Sequence, residues 1–358
     1  MTATGPAIRL ARADYAQLAL YTPDPSPVRV DLSDNTNRWG MPPAAARVIR
    51  EAATSAFARY PAPYSAPLKE AIAEYCGVDP ENIVTGCGSD DVLDSAVRAF
   101  ALPGDRLATC DPTFVMVPAL AVMNGLECVR VPFLPDFGSD ADALLSTGAR
   151  IIYVCSPNNP TGTTTSLETI PRLADRAQGL VIVDEAYIEF ADTAGCAELA
   201  STRPNVLVVR TMSKALGLAG LRVGYGIGAP EVVREVEKSR GPFKVGALAS
   251  LAAKAALRED VSWMRLHVRL AREARAAFAF ALAQRGITTL PSSANFVLAL
   301  IPNAPAMAAR MRELGVAVRA FSQLPGIGDA LRITVAPADE MAEALAALDG
   351  ARQEHACA

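Results

Sequence analysis

Histidine is nearly absent: 358 residues hold only His267 and His355. Chemistry built on an imidazole, whether a His-activated nucleophile or a His-ligated metal, has almost nothing to draw on. His267 falls in a helical pattern, where a structural role is expected, and His355 falls in a tail where solvation is expected. The seven cysteines (Cys76, Cys87, Cys110, Cys128, Cys155, Cys196 and Cys357) are scattered, odd in number and free of any CxxC pair. That pattern speaks against a disulfide framework and a zinc site, and most of them are expected to be small buried hydrophobes. No apolar run approaches the roughly 18 residues needed to cross a bilayer. The N-terminal stretch MTATGPAIRLARADYAQLAL lacks the apolar core of a signal peptide. Lys/Arg-rich runs are also missing and the net charge is -4, so non-specific nucleic-acid binding is not expected. These absences leave a cytoplasmic protein with no metal, membrane or nucleic-acid partner as the expectation.

What is present is apolar: hydrophobic residues make up 51% of the chain, and its length allows one large domain and a smaller one. Seven short runs, many of them rich in β-branched residues, occupy 82–85, 106–110, 127–131, 150–154, 180–184, 206–210 and 222–227. Several are apolar on both faces, the mark of buried strands in a mostly parallel sheet. Helical patterns over 90–101 and 166–178 fall between them, so the arrangement reads as α/β. Beyond residue 229 the pattern turns helical, with an interruption at Gly241-Pro242 and one apolar face along 263–284. Strands over 295–301, 316–320 and 331–335, with helices over 305–314 and 338–348, compose a smaller α+β domain. The expected division is 46–255 for the large domain and 1–45 with 256–358 for the small one.

Ligands of open α/β sheets gather at the carboxyl ends of the strands. After 82–85 comes Gly86-Cys87-Gly88-Ser89-Asp90-Asp91 and then a helix. Free N–H groups at such a start favour an anion; a phosphate fits, and so does a plain helix cap. After 150–154, Ser156-Pro157-Asn158-Asn159-Pro160 holds two amide side chains in a stiff turn. Asp184 ends an apolar strand, where a partly buried carboxylate needs a charged or donating partner. After 206–210 comes Thr211-Met212-Ser213-Lys214 and a glycine-rich apolar stretch. A lone lysine there loses solvation, which lowers its pKa and makes its amine nucleophilic. Taken alone, Asp184 and Lys214 also read as an ion pair. Together with a phosphate cup and amide donors they match what pyridoxal 5'-phosphate (PLP) requires: a Schiff-base lysine and a carboxylate for the pyridinium nitrogen.

The segments Arg59-Tyr60-Pro61-Ala62-Pro63-Tyr64, Thr85-Gly86-Cys87-Gly88-Ser89-Asp90-Asp91, Asp111-Pro112-Thr113-Phe114, SPNNPTG, VDEAYIEF and TMSKALGLAGLRVGY occur in this order. In these the sequence resembles the fold-type I, class I/II aminotransferases, and within them the histidinol-phosphate aminotransferase group, over nearly its whole length. The resemblance implies an α/β fold with a mostly parallel seven-stranded large domain, a smaller α+β domain, PLP as cofactor and a homodimer. It implies that Lys214 binds the cofactor and shuttles the proton, that Asp184 partners the ring nitrogen, and that Asn159 and Tyr187 donate to the ring oxygen. Phe114 is then the stacking aromatic. Gly88, Ser89, Asp90, Thr211, Ser213 and Arg222 surround the phosphate, and Tyr60 reaches the neighbouring subunit's phosphate. Arg332 and Arg319 are the implied substrate-anion residues, with Tyr21, Asn37 and Trp39 at the substrate mouth. Thr36, Arg38 and Trp39 depart from the group's usual Asn-Glu-Asn-Pro-like segment, and Ala62 stands where an acid is common.

The expected activity is amino transfer between L-histidinol phosphate, or a related amino acid, and 2-oxoglutarate, within histidine biosynthesis. The alternatives are an aromatic amino acid aminotransferase or a phospho-amino-acid decarboxylase. A nicotinamide-dependent oxidoreductase is suggested only by the GxGxxA string Gly224-Tyr225-Gly226-Ile227-Gly228-Ala229, which falls within and just after an apolar strand. A PLP-binding transcription regulator would need a DNA-binding domain for which the chain has no room.

Overall fold

In a computed structural model, twelve strands run in chain order: β1 (Val30–Asp31), β2 (Ile83–Cys87), β3 (Arg106–Asp111), β4 (Glu127–Pro132), β5 (Ile151–Cys155), β6 (Leu180–Asp184), β7 (Val206–Thr211), β8 (Val223–Ile227), β9 (Phe296–Leu300), β10 (Val316–Ala317), β11 (Arg319–Leu324) and β12 (Gly328–Thr334). The structure describes residues 12–357 other than 21, 23, 25 and 167, without the side chains of 17 and 354–357. Tyr21 and the side chain of His355 therefore lie outside the described residues.

The seven expected runs form one sheet in the order β2-β8-β7-β6-β5-β3-β4. All neighbours are parallel except β8, which runs antiparallel to β2 and β7. The sheet is buried on both faces because its inner strands are apolar along most of their length. Along β6, Val181 and Val183 enter one core cluster, while Leu180 and Ile182 enter the other. Helices Ser89–Phe100, Met116–Met123 and Pro230–Lys238 cover the second face.

The GxGxxA string runs through β8 and two residues past it, with Gly224 and Gly226 at paired positions in the sheet, rather than on a nucleotide loop. Its glycine has another cause. A Cβ on Gly224 would stand 2.2 Å from the Ser89 nitrogen and 2.3 Å from the Gly88 carbonyl carbon. The residue is small so that the turn after β2 can close over it, and the dinucleotide reading falls with that observation.

The C-terminal part also differs from expectation. The single strand expected over 316–320 is two. Val316–Ala317 pairs in parallel with Val30–Asp31, and Arg319–Leu324 pairs antiparallel with β12. The run Val316-Ala317-Val318-Arg319-Ala320 has no turn residue to mark the point where the chain changes sheets, between Ala317 and Arg319. The last helix runs Ala338–Cys357, past the expected end at 348. His267 has the structural place expected of it: Nδ1 lies 2.8 Å from the Trp263 carbonyl, with the two rings 4.0 Å apart.

Beneath the first face, Arg210 and Glu185 form a buried ion pair with Nη2–Oε2 2.7 Å, and Glu185 also accepts the Cys196 N–H at 2.6 Å. Removing one partner strands a charge out of water. Glu185→Ala should therefore cost about 3–5 kcal/mol, read from the urea midpoint. A loss under about 1 kcal/mol, the size of a surface pair, would contradict the pair's structural role.

Candidate active site

The carboxyl ends of β2, β5, β6 and β7 converge, and the chemistry-bearing residues stand there. Asp184 closes β6 and is 3% exposed. Its Oδ2 accepts the Tyr153 hydroxyl at 2.7 Å and its Oδ1 accepts the Ala186 N–H at 3.0 Å. Burial pushes the carboxyl up to about 6 against the pull of those two donors. Among the described residues Asp184 pairs with no cation. Tyr153 carried no motif. It stands in β5, whose Cys155 is the register partner of Asp184, so the tyrosine is a diagonal neighbour on the same face. Only the strand register exposes it.

Lys214 follows the end of β7. Its Nζ donates to the Asp34 carbonyl at 2.9 Å, and no ion pair joins it to Asp184, so the simple ion-pair reading of these two residues is not what the fold builds. Burial first, and then the Arg332 charge, lower the amine to about 8; Asp34 and Asp90 oppose them. A strap of N-terminal chain holds the lysine loop from above. Asn37 Nδ2 donates to the Ala215 carbonyl at 3.0 Å, and Asn37 Oδ1 accepts the Trp39 N–H at 2.9 Å. Gly217 has φ +63°, and a Cβ there would lie 2.3 Å from the Gly40 carbonyl oxygen. Both ends of the Asn37 amide are thus engaged with backbone, and Trp39 is half-buried against the core.

The turn after β2 leads into helix Ser89–Phe100 with Gly88 as its N-cap at φ +81°. A Cβ on Gly88 would come 2.5 Å from Arg222 Nη2, so the arginine lies against the bare backbone. Arg222 is held in the left-handed region at φ 52°, with Nη1 on the Ala219 carbonyl at 3.2 Å and Nη2 3.8 Å from Asp90. Desolvation raises the Asp90 carboxyl, with Arg222 and Lys214 opposing. Across the turn, Thr211 Oγ1 donates to Ser213 Oγ at 2.9 Å and accepts the Ser213 N–H at 3.1 Å. Free helix N–H groups, two hydroxyls and a guanidinium make this a cradle for an anion.

Facing it, Arg332 is 8% exposed. Its Nη1 donates to Asn159 Oδ1 and its Nη2 to the Ser33 carbonyl, both at 2.6 Å. A guanidinium only donates, so Asn159 turns its oxygen to the arginine and leaves its NH2 for the site. Arg319 is the register partner of Arg332, which puts the two arginines directly opposite on one face. Tyr187 is buried, and its hydroxyl accepts from Asn35 Nδ2 at 3.0 Å; desolvation, the largest influence, raises it to about 12. Phe114 is half-buried against the second core cluster. Tyr60 stands apart: it is 83% exposed, its ring stacked 4.7 Å from Phe243. Among the described residues no helix is long and apolar enough to cross a membrane.

A seven-stranded, mostly parallel sheet with these groups at its carboxyl edge defines a fold-type I enzyme. The crystal structure of a histidinol-phosphate aminotransferase from Sinorhizobium meliloti in complex with pyridoxal-5'-phosphate superposes with a TM-score of 0.89 at 28% identity, covering 98% of this chain and 99% of that one. A histidinol-phosphate aminotransferase from Roseiflexus castenholzii is 36% identical, over 91% of this chain and 94% of the relative. An aromatic amino acid aminotransferase from Nocardia farcinica is 37% identical, over 90% of this chain and 92% of the relative. The model of aminotransferase class I and II matches residues 28–348, and the chain belongs to that family.

The lowered Lys214 amine has a direct check. Trace acetylation of the ligand-free protein across pH should give Lys214 a reactivity midpoint near 8. A midpoint at about 10.4, the ordinary lysine value, would mean that the amine is solvated.

Proposed function

We propose that the chain is a PLP-dependent aminotransferase that exchanges an amino group between L-histidinol phosphate and 2-oxoglutarate, acting in histidine biosynthesis as a cytoplasmic homodimer. Asp184 carries the proposal. Its carboxylate is shut away from water, holds one hydrogen bond on each oxygen and has no cation among the described residues. A protonated pyridine nitrogen supplies both a positive charge and an N–H, and so answers a demand the chain leaves open.

The rest of the site fits the same group. Gly88, Ser89, Thr211, Ser213 and Arg222 would hold its phosphate, with Asp90 beside them. Asn159 and Tyr187 would donate to its ring oxygen, and Phe114 would lie against the ring. When bound, PLP supplies an electron sink for the charge left on a substrate carbon that loses a proton. The chain does the remaining work. Lys214 would bind the aldehyde carbon covalently and, with an amine near 8, would take and return the carbon's proton close to neutral pH. Asp184 would keep the ring nitrogen protonated. Arg332 and Arg319 would grip the anionic end of each substrate in turn, since guanidinium matches carboxylate and phosphate alike. Asn37, Trp39 and Tyr21 would border the mouth. Assigning 46–255 as large domain and 1–45 with 256–358 as small domain puts most of the cofactor residues on the first and both arginines on the second. Tyr60, exposed and stacked on Phe243, would reach the second subunit's cofactor phosphate. An aromatic amino donor is the second reading, favoured by the Nocardia farcinica relative.

Borohydride reduction should fix a cofactor mass on the peptide that holds Lys214. Lys214→Ala should lose that mass and nearly all turnover, and a retained covalent mass would remove Lys214 from its role. Asp184→Asn should keep the fold and slow the chemical step by several orders of magnitude; a drop of only a few-fold would make the carboxylate structural.

Substrate choice is read from kcat/KM with 2-oxoglutarate as acceptor. Histidinol phosphate should exceed phenylalanine and tyrosine by at least about tenfold, or about 1.4 kcal/mol. Parity would move the assignment to an aromatic donor. Arg332→Ala should cripple both half-reactions, and Arg319→Ala should hurt histidinol phosphate more than phenylalanine. Equal losses on both donors would remove Arg319 from the distal anion.

A further inference from the structure

Tyr187 meets a side chain that sequence reasoning gave no role. Asn35 is 1% exposed and sits in the left-handed region at φ 59°, a conformation that asparagine tolerates better than most residues. Three contacts fix it. Its N–H donates to Thr334 Oγ1 at 3.0 Å, its carbonyl accepts from Asn295 Nδ2 at 3.0 Å, and its Oδ1 accepts from Thr334 Oγ1 at 3.2 Å. These contacts decide which end of the amide faces Tyr187. The Thr334 oxygen already accepts the Asn35 N–H, and its single proton goes to Asn35 Oδ1. Turning the amide over would leave that proton without an acceptor in a fully buried place, at a cost of roughly 1–3 kcal/mol. Nδ2 therefore points at the phenol, and the Tyr187 oxygen accepts.

A phenol has one proton. With its oxygen accepting from a carboxamide that cannot accept in return, Tyr187 must send its own proton elsewhere. We propose that Asn35 is a positioning residue that compels Tyr187 to act only as a hydrogen-bond donor toward the site, so that the site selects the anionic form of the oxygen it faces. The inference rests on the PLP reading for the identity of that oxygen, the one on the cofactor ring. A freely turning phenol would serve a protonated or a deprotonated ring oxygen equally; a locked donor favours only the second. Asn159 is set in the same sense by Arg332, whose guanidinium occupies its oxygen. Both donors to the ring oxygen are thus held in one direction by a neighbour that can only donate to them.

The test is Asn35→Asp, nearly isosteric, examined as holoenzyme. A carboxylate accepts where the amide donated, so it draws the Tyr187 proton to itself. The pH midpoint of the visible absorption band should rise by about one unit or more as the anionic ring oxygen loses its donor. The charged and titratable groups acting on Tyr187 are Arg332, Cys155 and Asp184, and none is altered. The new charge could raise the midpoint through space, so the change is repeated in Tyr187→Phe. There the shift should shrink to a small remainder, because no phenol is left to turn; the difference isolates the coupling. Thr334→Val frees the amide to turn over, and should also raise the midpoint in the presence of Tyr187 alone. An unchanged midpoint in Asn35→Asp, or the same shift with and without the phenol, would overturn the inference. Wild-type protein with no borohydride-sensitive band would instead overturn the PLP reading on which it rests.

Discussion

A buried carboxylate with no cation among the described residues governs this structure. Asp184 lies at the end of a strand whose every residue is buried, where an ionised group is costly unless something compensates it. Two neutral donors, Tyr153 and Ala186, compensate it in part, and the carboxyl still rises to about 6. A buried acid of this kind is a liability in an empty protein. On the PLP reading proposed above it becomes an asset, because the same desolvation that raises the acid would strengthen its hold on a cationic ring nitrogen. The position of Lys214 follows the same logic with the sign reversed: the amine is desolvated and pressed by Arg332 until it sits near 8, within reach of a working nucleophile and base.

The N-terminal strap joins these groups to the C-terminal strands. The stretch from Leu32 to Gly40 touches Lys214 through the Asp34 carbonyl, Tyr187 through Asn35, Ala215 through Asn37 and Arg332 through the Ser33 carbonyl. The same stretch is pinned to β12 by Thr334, whose N–H donates to Leu32. One segment thus sets Lys214, Tyr187 and Arg332 at once. Small shifts in it would move all three, and its side chains anchor it: Asn35 to Thr334, Asn37 to the Ala215 carbonyl and Arg38 to Glu340.

Much of this was legible in the amino-acid sequence, for a definite reason. Residues at strand ends advertise themselves: an acid closing an apolar run, a lysine after a polar turn and glycines before a helix each break a local pattern. The seven sheet strands were visible because they are short runs rich in apolar and β-branched residues, several of them apolar on both faces. What stayed hidden depends on pairings between distant residues. Tyr153 looks like any strand tyrosine until register sets it diagonal to Asp184. Asn35 and Thr334 are 299 residues apart, and neither pattern nor propensity links them. The break after Val316–Ala317 was masked because no glycine or proline marks it, and only pairing with Val30–Asp31 on one side and β12 on the other reveals two strands.

The account as a whole depends on amino groups passing through a cofactor held between Lys214 and Asp184. The direct measurement is a half-reaction: purified enzyme is mixed with histidinol phosphate and no acceptor, and the visible band and the released oxo product are followed together. The account predicts that the band bleaches, that about one oxo product forms per site, and that adding 2-oxoglutarate restores the band and yields glutamate. Release of carbon dioxide from amino acid donors with the band retained, or no bleaching with any amino donor, would contradict it.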